Sequence, residues 1–303
     1  MGDGPVPPDL VSIASDGLRA AIHPLGAELW SLRDMQDREL MTDADPAYWT
    51  GRAPLLFPIV GRLRHDRYRL EGREYAMEKH GFARRQQFEL TQSADGRATF
   101  SLCANATTRA QYPFEFRLDM AFELKGAELR KTATVANQDD RDMPFSFGFH
   151  PAFAWPLPFG GAAGEHEIHF EKAEPAPIRR IGVEPGLIAP APRPSPVRGR
   201  TLRPEYALFE EDAIIWDDLA SRQLTWGVPG QTRLDIAFPD TPWLGIWQIP
   251  GARYLCIEPW AGMADPAGYD GDFTDKPGMM TLAPGESRSF HMYVGLRENG
   301  KPG

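Results

Sequence analysis

Two cysteines, Cys103 and Cys256, are all that the 303 residues contain. That excludes a disulfide framework and suits a reducing compartment. No stretch approaches the roughly 20 consecutive apolar residues that a membrane-crossing helix needs. The opening residues, MGDGPVPPDL, have neither a basic n-region nor an apolar h-region, so no signal peptide is read there. Positive charge is also short. Lys and Arg number 33 against 42 Asp and Glu, a net charge of −9 with no basic run, which argues against a nucleic-acid partner. We expect a cytoplasmic protein that meets neither membrane nor nucleic acid.

Helical periodicity is scarce, and strand signals take its place. GLRAAIHPLGAELWSLRD (17–34) reads as two strands bent around Pro24 and Gly26. DRYRLEGREYAM (66–77) reads as a hairpin turning at Glu71–Gly72. ATFSLCANATT (98–108) alternates apolar and polar. FRLDMAFELKGAELRKTATVAN (116–137) is the clearest hairpin, with Leu118, Met120, Phe122 and Leu124 on one face and the turn at Lys125–Gly126. Further runs lie at 144–150, 165–171, 213–217, 222–228, 232–238, 243–249, 253–258 and 288–296. With 29 Gly and 29 Pro, many short strands separated by turns predict a sandwich or barrel. Residues 173–204 carry eight prolines. They are read as a surface excursion within one domain spanning 1–303, because strand-like sequence resumes after them unchanged.

Two stretches put a titratable group into an apolar strand. In FSFGFHPAFAWP (145–156), Phe145, Phe147 and Phe149 share one face, and Ser146, Gly148 and His150 share the other. The second face has almost no bulk, as a floor beneath a small ligand requires. In RYLCIEPWAGM (253–263), Leu255 and Ile257 oppose Cys256 and Glu258. A lone strand histidine is more often a hydrogen-bonded structural residue, but an unpaired buried carboxylate is costly. The two together read either as a structural ion pair or as an acid and a base assembled by the fold. Two segments add polar candidates: Arg62 in LLFPIVGRLRHDRY and His80, ahead of Gly81, in MEKHGFARR.

VGRLRHDRYRLEGREY, KHGFAR, GFHPAFAWPL and CIEPWAGMADP occur in the order and spacing of the aldose 1-epimerase (galactose mutarotase) family, and their tone resembles its bacterial LacX-like branch. The likeness runs from about Ile22 to Leu296. It implies an all-β, galactose mutarotase-like antiparallel β-supersandwich with few short helices and a sugar cleft on one sheet. It implies His150 as general acid, Glu258 as general base, and Arg62 and His80 as ligands of sugar oxygens. LFEEDAIIWDDL offers Asp212 as the sugar-binding aspartate, with Asp217 as fallback. Among Trp49, Trp155, Trp247 and Trp260, which could stack on a pyranose, Trp260 is favoured because it follows the base. The expected partner is a small monosaccharide, and no cofactor or metal is needed. Monomer and homodimer both remain open.

The chemistry fits the residue types. Anomer exchange opens a hemiacetal, removing a proton from the C1 hydroxyl and giving one to the ring oxygen. We expect one acid and one base on opposite sides of the sugar. Two alternatives stay open: a hexose-6-phosphate mutarotase using Arg84 and Arg85 as an anion clamp, and a sugar-binding or sensing protein without turnover. EHEIH (165–169) places His166 and His169 on opposite strand faces, poor geometry for zinc. YDGDFTD (269–275) lacks the Gly and terminal Glu of a calcium loop. Cys256 is read as a small buried thiol.

Overall fold

Phe116–Lys125 and Glu128–Asn137 pair antiparallel along their whole length. Leu118, Met120, Phe122 and Leu124 all point into the core, as the alternation predicts. In the computed structural model, which describes residues 9–298, this hairpin sits inside a nine-stranded sheet. Its order is Thr201–Leu202, Glu167–Phe170, Gln223–Gly227, Arg233–Ala237, Ser287–Arg297, Glu128–Asn137, Phe116–Lys125, Arg97–Cys103 and Glu89–Ala94. Residues 1–8 of the stretch read for a leader lie outside the described residues.

A six-stranded sheet covers the inner face of the first. It runs Ile214–Trp216, Trp243–Trp247, Tyr254–Ala261, Phe147–Phe149 and Leu55–Leu56, with Ala152–Ala154 also pairing with Tyr254–Ala261. All these pairings are antiparallel. Met120, Phe122, Phe290 and Met292 from the large sheet share one apolar core with Phe147, Phe149, Leu255 and Ile257 from the small one. Phe147 stacks on Phe290 with ring centres 4.9 Å apart. Burying one such ring contributes about 1.5–3 kcal/mol, and the face-to-face packing of two sheets repeats that gain along every strand.

Two details depart from the sequence reading. The tail of ATFSLCANATT leaves the strand at Cys103 and forms a helix, Ala106–Gln111, because the Asn105 and Thr108 side chains satisfy its first turn in a reciprocal cap. The run 144–150 is not one strand. It breaks at Ser146, whose N–H donates to Pro58 O and whose hydroxyl accepts from Val60 N–H. The faces survive the break: Phe145, Phe147 and Phe149 stay in the core.

Tyr254–Ala261 is buried along its whole length, on both faces. One face meets the large sheet. The other carries Cys256, Glu258 and Trp260, and its cover comes from loops and from the proline-rich segment. Among the described residues, no helix is long and apolar enough to cross a membrane.

Candidate active site

Strand pairing sets the geometry. Cys256 is opposite Ala152, and Gly245 is opposite Glu258, so small neighbours flank the outer face of the central strand. Trp260 fills the space this leaves. A Cβ on Gly148 would stand 2.6 Å from Trp260 Cδ1, and one on Gly245 would stand 2.6 Å from its Cη2. The absent side chains are what admit the indole. It floors a cleft of about 120 Å³ lined by Trp49, Lys79, His80, Arg84, His150, Asp212, Trp247 and Glu258.

His150 Nε2 lies 3.1 Å from Glu258 Oε2. The pair is in direct contact, which corrects the expectation of an acid and a base facing each other across a sugar. The physical reason is the register: Ala152 pairs with Cys256, and that brings His150 beside Glu258. His150 is further enclosed by Trp49, His80 and Trp247, at ring separations of 5.2, 5.6 and 5.9 Å. Burial pulls its imidazole down to about 3, against the polar main chain of His150 itself, and the cations Lys79 and Arg84 press it the same way. Burial pushes the Glu258 carboxyl well above its ordinary value. Lys79 and the Trp260 indole oppose that rise, and Asp212 adds to it.

His80 is held by its own backbone. Its N–H donates to Gly61 O and its Nδ1 accepts from Gly61 N–H. With Nδ1 an acceptor, Nε2 carries the ring proton. Burial lowers its pKa, keeping the ring neutral. Gly81 is required beside it: φ is +70°, and a Cβ there would stand 2.2 Å from Phe57 O.

Asp212 reaches the cleft and Asp217 does not. Asp212 Oδ1 accepts from Ala213 N–H at 2.8 Å, while Asp217 is paired with Arg179 at 2.8 Å. Arg62 is not brought to the cleft wall. Its Nε and Nη2 donate to Asp66, at 2.7 and 2.5 Å, and its Nη1 donates to Pro185 O at 3.5 Å. His65 and Asp66 take positive φ, 59° and 55°, and this turn folds the carboxylate back onto the guanidinium. Of the two clamp candidates, Arg84 lines the cleft and Arg85 is paired with Glu78 outside it. Trp49, Trp247 and Trp260 surround the cleft. Trp155 does not, and packs in the core against Trp226.

Two contributors were not anticipated. Lys79, one position before the quoted KHGFAR histidine, lines the cleft with no ion-pair partner among the described residues. The proline-rich segment is a wall of the site and not merely an excursion: Ile181, Gly186 and Ile188 line the cleft. Prolines deny the segment a regular ladder, but Ile188 N–H donates to Asp265 O, and Arg179 exchanges both main-chain bonds with Ile215. Cys256 is buried beside the pair. Its thiol, His150 and Glu258 offer ligand atoms within 4.8 Å of one another. The two discounted motifs have structural roles. His166 Nε2 accepts from Leu157 N–H, His169 contacts Thr201, and Asp272 caps a short turn.

The sequence profile of the aldose 1-epimerase family matches residues 9–294. The chain belongs to that family. This family member is 31% identical to the chromosomal LacX protein of Lactococcus lactis subsp. lactis over 283 residues, 90% of this chain and 95% of LacX. Among solved structures, a galactose mutarotase related enzyme from Lactobacillus acidophilus superimposes with a TM-score of 0.88 at 30% identity, covering 96% of this chain and 98% of that one. A galactose mutarotase-like protein from Lactobacillus casei ATCC 334 gives 0.86 at 30% identity, covering 95% and 100%. The galactose mutarotase-like fold expected from the motifs is the fold this family member has.

Proposed function

We propose that the protein is an aldose mutarotase, interconverting the α and β anomers of a monosaccharide by opening the hemiacetal ring and reclosing it on the other face of C1. The observation that carries this reading is the His150–Glu258 contact of 3.1 Å at the cleft. The hydroxyl that loses a proton and the ring oxygen that gains one share a single carbon. An acid and a base side by side can address both. Glu258 as carboxylate takes the O1 proton while His150 as imidazolium protonates the ring oxygen, breaking C1–O5. The aldehyde turns about C1–C2, and the proton movements reverse on closure. The pair carries one proton throughout: the shifts rest it on Glu258 in the empty site, opening uses the form with that proton on His150, and after opening it is on Glu258 again. Because burial favours the neutral form of each group, the proton distribution that follows ring opening is not uphill.

His80 Nε2–H and the free Asp212 oxygen supply one donor and one acceptor for sugar hydroxyls. Trp49, Trp247 and Trp260 offer apolar surface to a pyranose face. Polarimetry on freshly dissolved α-D-glucose and α-D-galactose tests the reading: optical rotation should relax faster with the protein present. If neither these sugars nor phosphorylated hexoses relax faster, the proposal fails, and a sugar-binding role without turnover takes its place.

Lys79 and Arg84 favour a second reading, a mutarotase for phosphorylated hexoses. Nearby Arg62, Arg64 and Arg85 each have a carboxylate partner. Arg84 donates only to Lys79 O, and Lys79 has no partner among the described residues. A charge-assisted hydrogen bond contributes about 1.5–3 kcal/mol. Arg84→Ala should therefore lower the ratio of kcat/KM for hexose 6-phosphate over free hexose by roughly tenfold or more. An unchanged ratio removes the second reading.

A further inference from the structure

We propose that Cys256, Glu258 and His150 form a latent binding site for one thiophilic divalent cation such as zinc, set directly beneath the sugar cleft. The three side chains are buried, and their ligand atoms lie within 4.8 Å of one another. Ligands bound about 2.0–2.3 Å from a common tetrahedral metal lie roughly 3.3–3.7 Å apart. The His150–Glu258 edge, at 3.1 Å, is already closed, so only the thiol edge has to move, by roughly 1 Å at most. One imidazole nitrogen, one carboxylate oxygen and one thiolate make a mixed set that zinc accepts, with the fourth position open.

Charge balance favours the same occupant. Thiolate and carboxylate contribute two negative charges and a neutral imidazole contributes none, so a divalent cation leaves the buried centre with no net charge. On binding, the thiol proton and the single proton shared by the pair leave for solvent, and the cation gives up water. None of the three groups is committed to another structural task. Neither the Cys256 thiol nor His150 Nδ1 makes a hydrogen bond to another described residue, and the Glu258 carboxylate meets His150 and the Trp260 indole. Glu258 and His150 line the cleft while Cys256 does not. The fourth position of the cation therefore opens toward the sugar, and cation and sugar compete for the same two groups.

The test uses the full chain, untagged, under reducing conditions, with Cys103→Ala as background so that the exposed thiol contributes nothing. Titration with zinc chloride at neutral pH should show one equivalent bound. Cobalt chloride should give a near-ultraviolet thiolate-to-cobalt charge-transfer band. Cys256→Ala should abolish the band and weaken zinc on the order of 100-fold, since even residues behind the ligands cost 10–100-fold. If that variant does not fold, His150→Asn must weaken zinc to a similar degree, and the cobalt band alone reports the thiolate. Absence of stoichiometric binding, absence of the band, or zinc affinity untouched by Cys256→Ala overturns the proposal. A further arm, slowing of anomer exchange by zinc and its relief by chelator, rests on the mutarotase reading. The binding and spectral arms do not, so the two ideas can fail separately.

Discussion

Glu258 and His150 act as one titrating unit. Burial lowers the imidazole to about 3 and raises the carboxyl well above its ordinary value, so between those two titrations the contact holds a single proton. A second proton arrives only as pH falls toward about 3, and it removes the base. The last proton leaves only above the usual carboxylate range, and its loss removes the acid. We expect kcat/KM for anomer exchange to stay level through the region where a free imidazole titrates, near 6.5. An inflection there in the pH–rate profile would contradict the shared-proton account. Glu258→Gln and His150→Asn should each lower kcat by about 10²–10⁴-fold, with the melting temperature largely kept. Either variant retaining normal kcat disproves the role given to that residue.

The strand Glu128–Asn137 carries the clearest exception to its own pattern. Leu129, Ala133 and Val135 face the core, and so does Lys131. Its ammonium makes no hydrogen bond to a described residue and sits 4.8 Å from the Phe149 ring centre. Burial lowers it to about 7, against the attraction of Glu28. Between about 7 and its ordinary 10.5 the unfolded chain binds a proton that the folded chain does not. Stability therefore rises with pH across that window. Lys131→Met should stabilise the protein by about 1–4 kcal/mol, the range seen when buried charge is replaced by apolar volume. The gain should be greatest below pH 7 and shrink toward 10.5 in urea unfolding curves. A Lys131→Met variant less stable than the wild type at pH 7 would mean that the ring contact outweighs desolvation.

At the scale of the molecule, the cleft gathers residues from Trp49 to Glu258 and Trp260. The proline-rich segment is bound on both sides of it, through Arg179 to Ile215 and through Ile188 to Asp265. From this interleaving we propose that the chain folds as one unit. Scanning calorimetry should show one cooperative unfolding transition with calorimetric and van't Hoff enthalpies equal. Two resolved transitions would argue for separate domains divided near the proline-rich segment. The overall charge of −9 sharpens the meaning of Lys79 and Arg84. In an acidic protein, these two cleft cations without carboxylate partners among the described residues are what the phosphorylated-hexose reading rests on.

Much of this was legible before any fold was known. Side-chain alternation is a local property with a period of two, so the strands, their inward faces and the outward display of His150, Glu258 and Trp260 could be read from the chain. So could Asp212 ahead of its apolar strand, and the family itself from four ordered motifs. What the chain could not state is which outward faces meet. Contact between His150 and Glu258, Lys79 at the wall and the closing of the cleft by a proline-rich segment all follow from pairing between segments far apart in sequence. Arg62 shows the limit most plainly. Its partner Asp66 is only four residues away, yet a left-handed turn at His65 and Asp66 decides that the guanidinium is held there and withheld from the cleft. Periodicity fixes the direction of a side chain relative to its own strand; its neighbours are set by register and turns, which only the assembled sheets determine.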